Sequence, residues 1–548
     1  MLSAVAGLLL AVSAVYSSPV DYGMSLAGNF GEPRPNHFHC GIDIKTGGVE
    51  GKPLLAISDG YVSRVTVGLS GFGNAVYIAH PDGNTSVYCH LKFFSPRITR
   101  LLRKWQYAHK SYVADVRLGP MDCPVARGQV VAVSGNTGAS QAPHLHLELH
   151  ETKTGRLLDP LDVLGTCVKD GLAPMAHAFM AYPVPGEGVF DGGSTKRSYA
   201  FAAHMLGRKF TAWGKVGFGI WANDYMEATY NRYGVRETVL LVDGKEVFRS
   251  CVDGLPPVVN RRINYWVDYE HYFWFGTWYL KSFRTPGNTL PFISTDENNG
   301  IVDFCEERDY EIQYLLTDYF GNTSTYGFVV SGRKANIPAK LFAKDCRAMR
   351  YDRLSTFSLP GAWVVIPAGT LDGDAVFTPR IMQDDEAYSP LYSFYGHPFP
   401  LASWAELGIA VRENVTDPSK LYVKSNDGRY HGGTYKDGWV TARIRELGVA
   451  YSLSYDDKAP VISAVGHSLW RATRTIRVSV TDAETGVRSL QGFVDGRFVL
   501  FERRDKTDIY ECKLPETPLR RVGRQRQLVL VAVDNRGNEA VMREQIDY

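Results

Sequence analysis

The chain lacks several features that would narrow its role at once. No CxxC pair occurs among its eight cysteines, which lie scattered at 40, 89, 123, 167, 251, 305, 346 and 512, so a structural zinc ribbon is excluded. Cys251 with Cys305 is the easiest disulfide to draw, although spacing alone does not decide it. No HExxH helix supplies paired histidines and a base. There is no surplus of charge: 60 Lys and Arg face 58 Asp and Glu, a net +2, which argues against a nucleic-acid partner. No segment after the first residues reaches ~18 uninterrupted apolar residues, so the mature chain carries no transmembrane span. The N-terminus lacks a basic region too, because the first Lys or Arg is Arg34.

The N-terminal run "MLSAVAGLLLAVSAVYSSPV" is nevertheless apolar for about 15 residues, too short to cross a bilayer, with small residues at Ala14, Ser17 and Ser18. It reads as a signal peptide over residues 1–17, cleaved near Ser17 to Val20, which places the mature protein in the periplasm or medium. A buried N-terminal helix is the alternative.

What the chain does have points to β structure. Its 548 residues exceed one core, and 12% aromatics with 53 glycines and 31 tyrosines favour strands and turns. Between residues 20 and 165, "GYVSRVTVG", "NAVYIAH", "TSVYCHL", "QVVAVSG" and "HLHLELH" alternate with DG and SG turns, as in an antiparallel β domain. One helix interrupts them at 96–108, with Pro96 at its start, Ile98, Leu101, Leu102 and Trp105 on one side, and Arg97, Arg100, Arg103 and Lys104 on the other. The basic side reads as a solvated decoration, or else as the wall of a groove.

Further on, the chain echoes itself. Residues 219–248 and 477–501 share a strand, an acidic turn, Gly-Val, and a strand ending in Asp-Gly. "LLTDYFGNTST" (315–325) and "LVAVDNRGNEA" (530–540) follow as a second echo. We expect a mainly β protein: an N-terminal domain at 18–168, immunoglobulin-like sandwiches at 170–335 and 458–548, and a β-rich module at 336–457 between them. The modules are expected to be separable, and their acidic turns read as solvated rather than calcium-binding.

The chemistry concentrates at the front, where eight of the 14 histidines fall between residues 20 and 165. On a strand, "HLHLEL" sets His144, His146 and Glu148 on one face and three leucines on the other. "NHFHCGID" places His39 and Asp43 four residues apart, and "SVYCHL" adds His90. By alternation His90 shares a face with Tyr88, and Cys89 points away into the core. Histidines with one carboxylate suit a catalytic zinc, which takes three such ligands and keeps a position open.

In their order, H-x-x-x-D at 39–43, Tyr-x-His-Leu at 88–91 and Gly-Asn-Thr-Gly…Pro-His-Leu-His at 135–146 resemble the lysostaphin-type (LytM-type) zinc endopeptidases of bacterial cell walls. The likeness covers about residues 25–165, and it is greatest to large exported members of Bacteroidetes-like bacteria. It implies Zn2+ held by His39, Asp43 and His146, with His90 and His144 as catalytic non-ligands, and a peptidoglycan peptide as substrate. D-Ala–diaminopimelate cross-links or a glycine bridge would both fit. Ala142, and Ser140-Gln141-Ala142 as a whole, depart from the family's usual turn before Pro143 without removing a ligand. His37 and His150 read as flanking or surface, His80 and His109 as unassigned, Glu148 as a tuner of His146 or a solvated carboxylate, and Asn36 as a substrate contact. A non-catalytic regulator that activates another wall hydrolase is the second reading, and an adhesion protein working through its β modules the third. A wall or envelope partner for those modules stays open.

Overall fold

The computed structural model describes residues 15–548 except 228, 341–346, 384–387, 413–414, 505, 522 and 524. Most of the expected signal segment, 1–14, lies outside the described residues. Its end already lies on the domain, where Tyr16 donates to Asp82 (2.7 Å) and the Ser17 N–H donates to the Ile57 carbonyl (2.8 Å).

The chain is mainly β. In the N-terminal unit the strands are β1 (Leu26–Gly28), β2 (Ile42–Lys45), β3 (Gly60–Val67), β4 (Ala75–Ala79), β5 (Asn84–Cys89), β6 (Ala114–Arg117) and β7 (His144–Glu151). They lie in the order β1-β2-β7-β5-β4-β3-β6, each antiparallel to its neighbours. The latest strand is thus central, with β2 and β5 on its two sides. Its alternation sets the layers: Leu145 and Leu147 pack into a core with Ile42, Ile44, Ile78 and Tyr88, and the polar residues face the other way.

Register then brings the polar residues together. Asp43 lies directly opposite His146 on one side and Cys89 opposite it on the other. Cross-strand partners share a face, so Cys89 points to the His146 side, contrary to the alternation argument. The reason is local. The strand ends at Cys89, and His90 adopts a left-handed backbone (φ 62), which swings its ring back to the same face. Cys89 is buried there in a small cluster with Ala75 and Val87, while Tyr88 enters the main core and donates to the Leu55 carbonyl (3.0 Å).

Helix α1 (Pro96–His109) forms where the sequence places it, burying Ile98, Leu102 and Gln106. Its basic side is neither free in solvent nor a groove wall throughout. Arg103 pairs with Glu502 (2.7 Å) and the Tyr107 ring meets Phe498 edge-on, so the C-terminal module folds back over the helix. Gln491 also donates to the Lys110 carbonyl (3.0 Å).

The second unit is a sheet in which the long strands β8 (Met175–Phe190) and β9 (Met205–Asn223) pair antiparallel, β9 runs parallel to β11 (Thr323–Gly332), and β11 pairs with β10 (Asp309–Thr317). It shares its core with the first. Phe30, Phe38, Cys40 and Leu157 are buried in its core, while its own Met226 and Tyr233 enter the N-terminal core. Residues Leu157–Leu158 pair with Gly254–Leu255, continuing one ladder across the joint. Gly31, with φ 77, lies so close to Val252 that a Cβ would sit 2.5 Å from its methyl carbon. Residues 349–453 enclose a third core between a five- and a four-stranded sheet, and residues 470–548 a fourth between two four-stranded sheets.

Cys251 and Cys305 are both free thiols. The strand ending at Cys251 pairs with 237–242 and 293–295, whereas 302–304, just before Cys305, pairs with β9, so the two are not neighbours in the sheet.

Candidate metal centre

On the polar face of β7, His39 Nε2, His146 Nδ1 and Asp43 Oδ1 converge. The separations are 3.0 Å between the two nitrogens, 3.1 Å from Asp43 to His39 and 2.8 Å from Asp43 to His146. All three residues are buried. The remaining nitrogen of each ring is already engaged. His39 Nδ1 faces the Asn29 carbonyl at 2.6 Å, and His146 Nε2 faces Glu148 Oε1 at 3.1 Å. Each ring therefore gives its proton outward and turns a lone pair inward. Two imidazole nitrogens and a carboxylate oxygen then face one another, an arrangement that repels unless a metal ion or an added proton sits among them.

Atoms about 3 Å apart in a triangle all lie within roughly 2 Å of a common point, which is the Zn–N and Zn–O bond length. Two nitrogens and one oxygen are zinc ligand types, and outer acceptors behind each histidine are what metal sites use to orient the rings. The residues present fit Zn2+.

In the metal-free chain the charge balance shows the same pull. Burial works against a charged His146, but its hydrogen bonds to Asp43 and Glu148 outweigh it and raise the imidazole to about 9. Burial alone would raise Asp43, yet the imidazoles around it hold its carboxyl far below the usual range. Glu148 is likewise lowered to about 2, burial being overcome by His146 and by His150, whose Nε2 lies 2.6 Å from Glu148 Oε2. Arg34 closes the network, donating to Asp43 Oδ2 (2.7 Å) and to Glu32 Oε1.

The other two histidines stand beside this group. The rings of His90 and His144 are 5.0 Å apart, and His144 Nε2 is 3.3 Å from Asp43 Oδ1. His90 Nδ1 donates to the Thr137 carbonyl (2.9 Å) and His144 Nδ1 to the Ala142 carbonyl (2.8 Å), so both present a bare Nε2. Burial, with the neighbouring imidazoles His146 and His144, lowers His90 to about 3 and keeps it neutral. The Gly135–Gly138 turn explains how His90 holds its left-handed backbone. Thr137 donates to the Leu91 carbonyl and accepts from the Asn74 N–H, and a Cβ on Gly135 would come 2.7 Å from the His90 carbonyl oxygen. The departure at Ala142 is harmless, because its φ is not positive and its carbonyl is what fixes His144.

All five expected residues line one cleft of about 960 Å3. Several other sequence readings change. Of the two readings given for Glu148, the contact with His146 is the one observed, and His150 stands behind it. Asn36 is not among the residues that line the cleft, and its side chain accepts from Asn264 of the second unit (2.9 Å). His80 is satisfied by the Asp59 carbonyl and Ser86, and His109 stacks on Trp105. His37 lines the cleft. Glu32, Asn29 and Arg34 were not anticipated, although Arg34 lies five residues before His39 in a glycine-proline turn that a search of the motif's flanks would reach. Asn231 and Asn260 of the second unit also line the cleft, and Asn260 accepts the Phe38 N–H (2.8 Å) beside His39. On the opposite rim Lys506 donates to the Ser140 carbonyl.

Parts of the chain are similar to known proteins. Residues 37–99 match the model of Peptidase family M23, and residues 346–456 that of a Zu5-like domain. Over 125 residues, 23% of this chain, the sequence is 34% identical to an uncharacterized metalloprotease of Haemophilus influenzae, covering 21% of it. It is 30% identical over 125 residues to the DD-carboxypeptidase/endopeptidase Mpg of Neisseria meningitidis, covering 22% of it. The match thus spans about a fifth of the length of these curated relatives. Among solved structures, the catalytic domain of the antimicrobial peptidase lysostaphin from Staphylococcus simulans is 24% identical, with 26% of this chain and 92% of that one covered at a TM-score of 0.20. A zinc containing peptidase from Vibrio cholerae is 27% identical, with 27% and 39% covered at a TM-score of 0.20.

Proposed function

With a peptidase family M23 domain of LytM or lysostaphin type at its N-terminal end, we propose that this chain is a zinc-dependent endopeptidase that cuts peptide cross-links of bacterial peptidoglycan. His39, Asp43 and His146 hold the metal, and His90 and His144 act on water and substrate. The observation that carries the reading is the convergence of two imidazole lone pairs and the Asp43 oxygen, each ring locked from behind by Asn29 or Glu148.

When bound, zinc supplies Lewis acidity, making water a stronger acid and a carbonyl a better electrophile. The chain's own residues supply the rest. His90, neutral and with Nε2 bare, accepts a hydrogen bond from the attacking water and orients it. His144, with its bare Nε2 3.3 Å from Asp43 Oδ1, takes the water's proton and returns it to the leaving amine. Arg34 and Glu32 keep Asp43 in its rotamer. The cleft is long enough for a peptide, with one wall from the second unit and one rim touched by the C-terminal module. The polymer substrate places the working protein outside the cytoplasm, in keeping with the signal-like N-terminus. Among the described residues, no helix is long and apolar enough to cross a membrane.

The test is a digest of defined muropeptides by the full chain before and after zinc removal. Cleavage of cross-linked dimers that disappears on stripping and returns with zinc is the expected result. Intact dimers under zinc-replete conditions would refute the activity.

A further inference from the structure

A second cluster of ligand-type atoms lies away from the cleft, at the joint of the first two units. Asp170 comes from the segment leaving the N-terminal domain, Asp224 from the end of β9, and Asp318 from the turn between β10 and β11. One carboxylate oxygen from each lies within 4.8 Å of the others. Asp224 is 2% exposed and Asp318 3%. Two buried oxygens, Asp224 Oδ1 and Asp170 Oδ2, have no hydrogen-bond partner. Among the described residues no Lys or Arg pairs with any of the three.

The C-terminal module contains the counterpart, and the contrast is informative. Asp170 heads Asp-x-x-Ala-Pro at 170–174, as Asp456 does at 456–460, and Asp318 heads Asp-x-x-Gly-Asn at 318–322, as Asp534 does at 534–538. Asn322 donates through N–H and side chain to the two oxygens of Asp318 (2.8 and 2.7 Å), and Asn538 does the same to Asp534 (2.9 and 2.7 Å). The third member, however, is treated differently. Asp482 Oδ2 accepts three backbone N–H groups, from Glu484, Thr485 and Gly486, and the Thr485 hydroxyl donates to Asp456 Oδ2 (2.6 Å). No buried oxygen of that triplet lacks a partner among the described residues. In the first triplet the four-residue step from Asp482 to Gly486 is replaced by a ten-residue step from Asp224 to Gly234. The longer loop leaves Asp224 without those donors and reaches the N-terminal domain instead. There Asn231 donates to the Ala27 carbonyl, Tyr233 to the Leu26 carbonyl, and Gly234 exchanges two hydrogen bonds with Asn29.

We propose that Asp170, Asp224 and Asp318 form a calcium site that clamps the linker, the 225–234 loop and the 318–322 turn together at this joint. Unpaired buried carboxylates without a cation are costly, and an all-oxygen set with no nitrogen or sulfur selects a hard ion. Three separate chain segments give the irregular geometry that Ca2+ tolerates and Mg2+ does not. Burial and mutual repulsion raise Asp170 to about 6 and Asp224 to about 8 in the metal-free chain. The site braces the catalytic domain through Asn29, whose carbonyl orients His39. It is independent of the zinc assignment.

Calorimetric titration of the zinc-loaded full chain with CaCl2 tests it. One Ca2+ per chain is expected, with affinity in the range of roughly 10⁻⁴–10⁻³ M or tighter. Asp224→Asn should abolish that binding, and Asp170→Asn, on the half-exposed linker where folding is least at risk, should weaken it at least ~10-fold. Asp482→Asn should bind as the wild type does. Melting temperatures should cross over. Without calcium, Asp224→Asn melts above the wild type because folding no longer has to bury and protonate that acid, whereas with saturating calcium the wild type rises by on the order of 5 °C and passes it. No binding by the wild type up to about 10 mM Ca2+, unchanged binding in both Asp224→Asn and Asp170→Asn, or loss in Asp482→Asn instead would each overturn the site. Zinc content should stay the same in all these variants, so a failure here is separable from a failure of the peptidase reading.

Discussion

Among the described residues three clusters each bring three ligand-type atoms within 4.8 Å of one another, and beside the closed Asp456–Asp482–Asp534 triplet two stand in contrast, His39–Asp43–His146 in the cleft and Asp170–Asp224–Asp318 at the joint. What stands behind the atoms differs. In the cleft, each ring is backed by an acceptor and Asp43 by Arg34, so the orientation of the three side chains is fixed before any ion arrives. At the joint the carboxylates come from elements that meet only in the folded chain, and two of their oxygens have nothing to bond. The first cluster is a rigid site aimed at a 960 Å3 cleft, and the second holds segments of two units together. Proximity of ligand atoms thus marks both, and the groups behind them distinguish a reactive centre from a clamp.

The largest effect expected from breaking this contrast is on turnover. His90→Ala and His144→Ala should each keep zinc while lowering kcat by about 10²–10⁴-fold, because in the proposed reading neither ring is a ligand and both act on the attacking water. Metal analysis beside muropeptide kinetics checks both halves, and zinc loss in either variant would mean that the shells are reversed. Next comes the anchor behind His39. Phe38 is fully buried in the second unit's core, stacked on Trp266 at 6.2 Å, so Phe38→Ala should cost about 3–5 kcal/mol in denaturant unfolding and reduce activity as well. Unchanged activity and stability in that variant would restore the second unit as a detachable accessory. Smaller again is the outer support of His146, where Glu148→Ala should weaken zinc about 10–100-fold in a competition titration. The smallest is Asn260→Ala, which removes one hydrogen bond to the Phe38 N–H and should cost about 1 kcal/mol with zinc retained.

Much of the site was legible because it is carried by short-range patterns. The Leu-His alternation of β7, the four-residue step from His39 to Asp43 and the glycines of 135–138 each state a local geometry, and pairing β2 against β7 then follows from two alternating strands. What was illegible depends on partners far along the chain. His90 faces the site only because the Gly135 turn packs against a left-handed residue, which reverses the direction that alternation assigns to Cys89. The N-terminal sequence gives no sign that Phe38 inserts into a core more than 200 residues away. Nor does the basic side of α1 reveal that Glu502 is its partner. The acidic turns look solvated in sequence, since only the fold shows which of their oxygens are buried and which triplet is closed by Thr485.

The measurement that bears most directly on the metal centre is the zinc content of the purified full chain and of Asp43→Ala, with His90→Ala alongside. Asp43 is the one anionic member of the proposed ligand set, and its register opposite His146 brings the two together. One zinc per chain in the wild type and in His90→Ala, with none in Asp43→Ala and no cleavage of muropeptides by it, is the predicted outcome. Full zinc occupancy in Asp43→Ala would contradict the account, because the ion would then be held by residues other than these three.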